Sequence, residues 1–521
     1  MNYLNTGMAY TLFEEALNSE IYVDKSMLIT RVSSKIRTGN KYICITRPRR
    51  FGKSVNLHML GAYYTKGQDC RSLFEGLAVS ETEKYEKHRN CHNVIYIDFS
   101  RMPFECTSYK EYIVSIYKGL EADLFAAYPF LCEKEYDSIS KMFIASGDSF
   151  LFLLDEWDSV FYKDFMMQRD KDAYLGFLKN LLKDQPYVEL AYMTGVLPIA
   201  KYSSGSELNM FDEYSFMNDN IYDKYFGFSE EEVRKLCQKH ESVSYQELAY
   251  WYDGYYSANG NRLFNPRSVS KALSRGVCLN YWTETGPMNE IADCIEHNTD
   301  AVREDIVRMV AGIPVKVKLQ GYSASESRLQ NRDEILSAMV VYGFLSYHDG
   351  YLRIPNHELM EKYQMVLARE SMGGVRQIVE QSEEMLAATI ACNENRVAAI
   401  LEETHDREIP FLQYNDENSL SCVITLCYLS ARDDYRMERE SKTGKGYCDY
   451  MFLPKKKGIP AIILELKADD SCENALAQIK EKEYIRKAWE YADEVLLVGI
   501  GYDKGKKKHG CMIERRERKC S

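Results

Sequence analysis

Four short apolar runs, each followed by a turn and a stretch of helical period, constrain this chain most. They are YICIT (Tyr42 to Thr46), VIYIDF (Val94 to Phe99), FLFLL (Phe150 to Leu154) and LAYMT (Leu190 to Thr194). Runs this short and this continuously apolar read as strands buried on both faces, with the helices between them as crossovers. The expectation is a doubly wound parallel α/β sheet within residues 1–228.

The texture changes at Ser229. SEEE (Ser229 to Glu232) is a capping box: the serine oxygen and the later glutamate satisfy free amides at a helix start. Helical periodicity then prevails to about Glu380. Within it, LSAMVVYGFLSYHDGYLRIPN reads as a helix and two short strands joined at Asp349-Gly350, a winged-helix-like element. Beyond, α/β texture returns in CDYMFL (Cys448 to Leu453), AIILELK (Ala461 to Lys467) and EVLLVGI (Glu494 to Ile500). The boundaries so read are 1–228, 229–380 and 381–521, within the about three or four units expected of this length.

Composition excludes some classes. The 78 Asp+Glu and 66 Lys+Arg leave a net charge of −12, which argues against nonspecific coating of nucleic acid by the whole molecule but not against a local basic groove. No uncharged apolar run reaches the ~18–20 residues of a membrane span. The opening MNYLNTGMAY lacks the basic segment and apolar core of a secretory signal. The 15 cysteines are odd in number and scattered, without zinc spacing. Neither a disulfide framework nor a zinc ribbon is therefore expected, and a reducing cytoplasm is the expected compartment. The 40 tyrosines read first as half-buried core residues, with base stacking as the alternative.

YICITRPRRFGKSVNLHML sets a buried strand, a tight loop and a helix in succession. Gly52-Lys53-Ser54 falls at the end of a phosphate-binding loop. Backbone N–H groups there face phosphate oxygens, Lys53 neutralises the β/γ oxygens of ATP, and Ser54 offers its hydroxyl oxygen to Mg²⁺. Arg47 stands where such loops usually have their first glycine. FLFLLDEWD ends a later strand in Asp155-Glu156. Asp155 would hold Mg²⁺ through water, and Glu156 would orient or deprotonate the attacking water; capping of the next helix is the structural alternative. Thr194 suits either a γ-phosphate sensor or a helix cap. Arg47, Arg49 and Arg50 suit anion binding, and a nucleotide, a neighbouring subunit in a homo-oligomer or a nucleic-acid backbone all fit.

These motifs, with VDKSMLI, YIDFS, MTGV, WYDGYY, LFNPRSV and YWTETG in the same order, resemble the bacterial AAA-ATPase-like family. The resemblance spans nearly the whole chain. It implies an AAA-like P-loop NTPase domain and accounts for arginine at the first glycine position. Asp24 and Lys25 fall in its VDK signature, whose role the sequence does not explain. The family often carries a C-terminal α/β, restriction-endonuclease-like domain of the PD-(D/E)XK nuclease superfamily.

The C-terminal residues can be read on their own terms. Asp449 opens one strand and Glu465-Leu466-Lys467 closes the next, with the carboxylates 16 positions apart. Glu465 and Lys467 are two apart on a strand and so share a face. Two carboxylates converging at a hairpin suit Mg²⁺ or Mn²⁺, and Lys467 would position a water that attacks a phosphodiester. A solvated face or salt bridge is the plain alternative for Glu-x-Lys. The resemblance adds Gln478 and Tyr484 as its Q…Y element and Glu417 as its further acid.

Residues 501–521 hold eight Lys/Arg and three acids, a stretch suited to tracking a phosphate backbone or to solubilising the chain's end. The expectation is an ATPase coupled to a Mg²⁺-dependent nuclease acting on DNA or RNA, with no membrane partner. The first alternative is a nucleotide-switched interaction protein whose nuclease fold binds without cleaving. The second is a structural or regulatory protein with neither activity.

Overall fold

A computed structural model gives the fold. It describes residues 1–199, 207–282, 300–318, 331–367, 374–405, 417–443, 446–468, 470–481, 485–503, 505–506, 508 and 509–518. The chain divides into two compact units: Met1–Pro287 with Val317–Gly350 and Pro355–Glu358, and Met288–Lys316 with Tyr351–Ile354 and Leu359–Ser521.

The first unit is built on five strands: β1 (Tyr42–Thr46), β2 (Asn93–Asp98), β3 (Phe150–Asp155), β4 (Val188–Gly195) and β5 (Asp212–Tyr214). They lie in the order β2-β3-β4-β1-β5, and every pairing is parallel. All residues of β1, β3 and β4 are buried. Neighbours along one strand feed opposite faces: Phe152 and Leu154 join one apolar cluster, Leu151 and Leu153 the other. A strand buried on both faces can therefore be apolar throughout, and each such large side chain contributes roughly 1.5–3 kcal/mol on burial. The order inserts β4 between the strand that feeds the loop and the strand that ends in Asp155. Helix Lys53–Tyr64 follows the loop and has nine of its 12 residues buried, as a helix covering such a sheet should.

A small antiparallel sheet follows in the same unit, with β6 (Phe228–Ser229), β7 (Tyr255–Tyr256) and β8 (Arg262–Phe264) in the order β6-β8-β7. The capping box forms at Ser229: its hydroxyl accepts from Glu232 N, and Glu232 accepts from Ser229 N at 2.7 Å. Glu232 does more. The Lys25 ammonium donates to its carboxylate at 2.6 and 2.8 Å and to Lys224 O at 2.9 Å. Asp24 accepts from Ser26 N and Ala78 N at 2.7 Å each. The Asp24–Lys25 signature is thus a structural clasp that fixes two loops and a helix start.

After β9 (Val315–Lys316), helix Arg332–Val341 leads to β10 (Ser346–His348) and β11 (Tyr351–Arg353), the helix and strand pair expected there. Asp349 and Gly350 between them both have positive φ, 50° and 85°, as a tight hairpin turn demands.

The second unit carries β12 (Tyr435–Thr443), β13 (Gly446–Pro454), β14 (Ala461–Ala468), β15 (Glu494–Asp503) and β16 (Lys508–Glu517), in that spatial order. Only β14 and β15 run parallel, and helix Cys472–Glu481 lies between them in the chain, as a parallel crossover requires. The basic stretch near the chain's end is an edge strand, with Lys508 to Glu517 paired along β15.

Candidate functional site

The loop after β1 begins anchored, since Arg47 N donates to Gly195 O at 3.1 Å. The Arg47 side chain was expected among the phosphate contacts. Its guanidinium instead pairs with Asp219, donates to Thr46 O and Tyr214 O at 2.8 Å each, and lies 4.9 Å from the Phe226 ring centroid. At 2% exposure it is a strut beneath the loop. Beyond it, Arg50 and Gly52 both take left-handed φ, 72° and 86°. For glycine this conformation is free, and such turns aim successive backbone N–H groups at one point, a concavity suited to an anion.

Lys53 Nζ donates to the loop's own carbonyls, Arg47 O at 3.0 Å and Pro48 O at 3.2 Å. Burial pushes its pKa down, while the charges of Glu156, Asp158 and Asp155 pull it back. Asp155 accepts the hydroxyls of both Ser54 and Thr194 and the N–H of Glu156. Its carboxyl is pushed up by burial, and those two hydroxyls act in the opposite sense. β4 makes this convergence possible, because it carries Thr194 between Ser54 and Asp155. Glu156 sits at φ 48°, an uncommon conformation for a residue with a side chain and one that collects at functional sites. Its charge acts on both Lys53 and Arg50.

Asp158 was not singled out from the sequence. It is fully buried, and its carboxylate accepts from Val196 N at 3.2 Å and Leu197 N at 2.8 Å. It ties the loop after β3 to the end of β4, so Glu156 and Thr194 are positioned together. Its spacing in DEWD was the available signal. Arg49 lies over the Tyr162 ring at 5.9 Å. Arg50 is exposed, and its pKa is lowered by partial desolvation and by the like charges of Arg267 and Arg49.

In the second unit, the β13–β14 register pairs Tyr450 with Leu464 and continues to set Asp449 opposite Glu465. Leu466 N donates to Asp449 Oδ2 at 2.7 Å, and Asp449 N approaches Glu465 Oε2 at 3.4 Å. Lys467 Nζ stands 3.9 Å from Glu465 Oε1, and Gln478 donates to that same oxygen from helix Cys472–Glu481. Asp449, Glu465, Lys467 and Gln478 are therefore brought together, with Glu465 only 2% exposed. Glu417 is the first residue of helix Glu417–Cys427, which is bound to β13 by Tyr450 OH donating to Ser421 O at 2.9 Å. Tyr484 lies outside the described residues. Among the described residues no cluster of three or more His, Cys, Asp or Glu is placed to hold a metal, and no helix is long and apolar enough to cross a membrane.

A strand running into a turn suited to an anion, with an acidic strand end two places along the sheet, has the layout of the P-loop NTPase fold; the facing carboxylates with their Glu-x-Lys strand have that of a PD-(D/E)XK-type core. In family terms, residues 10–204 match the model of the predicted AAA-ATPase family and residues 415–510 that of the PD-(D/E)XK nuclease superfamily, so the chain joins an AAA-ATPase-like, nucleotide-binding segment to a nuclease-superfamily segment. No curated protein matches the chain. Solved structures similar to it include the Walker-type ATPase paby2304 of Pyrococcus abyssi, at 12% identity over 65% of this chain and 94% of that one, with a TM-score of 0.34. The ORC2 protein of Aeropyrum pernix is similar at 12% identity over 69% of this chain and 93% of that one, TM-score 0.30. The STAND protein PH0952 of Pyrococcus horikoshii, which has a tetratricopeptide repeat sensor, is similar at 11% identity over 79% and 53%, TM-score 0.26.

Proposed function

We propose that the chain binds and hydrolyses ATP at the Gly52–Ser54 loop and couples this to hydrolysis of nucleic-acid phosphodiesters at Asp449, Glu465 and Lys467. Residues 1–228 would carry the nucleotide, 229–380 would form the helical lid, and 381–521 would meet DNA or RNA. The observation that carries the reading is the convergence of Ser54, Thr194 and Glu156 N on Asp155. The oxygens gathered there, those of Ser54, Thr194 and Asp155, suit Mg²⁺. Lys53 would leave the loop carbonyls for phosphate oxygens, Arg49 and Arg50 would face the same charge, and Glu156 would orient the attacking water.

At the second site, the two facing carboxylates suit Mg²⁺ or Mn²⁺. The ion, once bound, polarises the scissile phosphate. Lys467 would orient the attacking water, while Gln478 fixes the rotamer of Glu465. Glu417 and Tyr484 are proposed as further members of this site, and a homo-oligomer as the assembled form.

One observation favours a second reading, a nucleotide-switched interaction protein whose nuclease fold does not cut. Asp449 Oδ2 and both Glu465 oxygens already accept internal hydrogen bonds or contacts. Incubating the purified protein with circular DNA, linear DNA and RNA, with Mg²⁺ and with or without ATP, separates the two. Cutting that disappears in Asp449→Ala and Lys467→Ala supports the nuclease. Cutting that persists in the double variant refutes it, and metal-independent inertness favours the switch.

A further inference from the structure

We infer that a cavity between the β7–β8 hairpin and strand β10 binds a small quaternary ammonium ion. This binding is separate from both reactions proposed above and depends on neither.

The cavity has a volume of about 270 Å³, lies within the first unit and is built from stretches far apart in the chain. Phe216 comes from beyond β5, Tyr256 from β7, and Tyr347, His348 and Asp349 from β10 and the turn after it. The Tyr256 and His348 rings lie flat on each other, with centroids 4.3 Å apart and planes inclined by 13°. The turn beyond Tyr256 is locked by Gly260 N donating to Ser257 O and Ser257 N to Asn261 O, both at 2.9 Å. Phe216, itself buried, meets the Phe51 ring edge-on at 5.5 Å. Strand, turn and ring contacts thus fix the walls in advance, which lowers the ordering cost of binding.

The lining favours a cation. The faces of aromatic rings such as those of Phe216, Tyr256 and Tyr347 attract positive charge. Asp349 adds a carboxylate, with Oδ2 3.3 Å from His348 Nε2. Among the described residues no lysine or arginine lines the cavity. Val340 contributes from the last turn of helix Arg332–Val341, the negative end of the helix dipole. A phosphate there meets no cationic side chain. Mg²⁺ or Ca²⁺ meets one carboxylate where about six oxygens are needed. A primary ammonium brings N–H donors that are costly to leave unmet against aromatic walls. An alkylated ammonium keeps the positive charge without them. The volume lies just under the about 300–1,000 Å³ of ordinary ligand clefts, which suits an ion of choline's size better than a nucleotide.

The test titrates the full chain by calorimetry with choline, with dimethylbutanol as its uncharged isostere, and with ethanolamine as its primary-amine counterpart. Choline should bind with a Kd of about 0.1–1 mM, an affinity open to so small a ligand. The isostere should bind at least about tenfold more weakly and ethanolamine several-fold more weakly. Tyr256→Leu and Asp349→Asn should each weaken choline binding about 3- to 30-fold. Asparagine tolerates the positive φ of position 349, so Asp349→Asn keeps the turn and stands in if Tyr256→Leu does not fold. Flotation with phosphatidylcholine vesicles separates the sources of the ion: co-flotation that both variants abolish assigns a lipid headgroup, and choline binding without co-flotation assigns a free ion. Choline that binds no more tightly than the isostere or ethanolamine, or as tightly to either folded variant as to the wild type, overturns the inference.

Discussion

Asp449 and Glu465 face each other across the antiparallel β13–β14 register, and each is held by the other's strand: Leu466 N donates to Asp449 Oδ2 at 2.7 Å, and Asp449 N approaches Glu465 Oε2 at 3.4 Å. The carboxylates are fixed by backbone, so their separation does not depend on loop conformation. Asp449→Asn keeps an oxygen for Leu466 N and should change unfolding free energy by under about 1 kcal/mol. Asp449→Ala leaves that N–H unmet and should cost about 1–3 kcal/mol. Both should reduce metal-dependent cleavage to background. Denaturant titration beside a cleavage assay checks the pair, and an Asn variant that still cuts would remove Asp449 from the site.

Asp155 shows the conflict between stability and chemistry. Burial holds its carboxyl above the usual 3.8, so the folded chain binds that proton more tightly than the unfolded chain does. Stability therefore falls as pH rises from about the unfolded value through the folded one, and the penalty stays in place at neutral pH. Asp155→Asn removes the penalty while keeping an acceptor for Ser54 and Thr194. Its melting temperature should rise by a few degrees at pH 7, with the gain shrinking toward pH 4, while ATP hydrolysis is lost. Calorimetry across that range decides it; a variant less stable at pH 7 than at pH 4, relative to wild type, would contradict the assignment.

Arg47 and Asp219 form an ion pair with both side chains 1% exposed. Removing one member of such a pair strands the other, so Arg47→Met should destabilise the protein by about 3–5 kcal/mol. The double variant Arg47→Met/Asp219→Leu should recover much of that loss. If Arg47 is a strut and makes no phosphate contact, the double variant should also bind ADP as the wild type does. A double-mutant cycle by denaturant unfolding, with ADP titration on the same samples, separates the two roles.

Four of the five strands of the first sheet, β1 to β4, were readable because they are buried on both faces, whereas the short, partly exposed β5 was not. β1 spans the five residues of YICIT, and β3 and β4 extend the apolar runs by only one to three residues. The edges were not. β12 reads YRMERESKT and β16 reads KHGCMIERRE, and such charged edge strands carry no apolar period because one edge faces solvent. Partners far apart in the chain were equally hidden. Asp219 lies 172 residues from Arg47 and Glu232 lies 207 from Lys25, so neither pairing leaves a local pattern. The loop motif placed Arg47 by its neighbours in sequence, whereas its side chain is governed by a buried charge the motif does not contain.

Gly343 shows how the loop could be disturbed without touching a phosphate contact. Its φ is 82°, and an added Cβ would lie 2.7 Å from Pro48 Cβ. Its carbonyl accepts the Tyr255 hydroxyl at 2.8 Å, and the Tyr255 ring packs edge-on against Phe51 at 5.1 Å. Gly343→Ala must therefore both adopt a left-handed backbone, at about 1–2 kcal/mol, and push Pro48 aside. Pro48 O is one of the carbonyls that hold Lys53 Nζ, so the displacement should reach the ammonium. The expected outcome is a loss of stability of about 1–3 kcal/mol together with several-fold weaker ATP binding. A destabilised variant with unchanged ATP affinity would show that the Gly343 turn and the phosphate loop are mechanically independent.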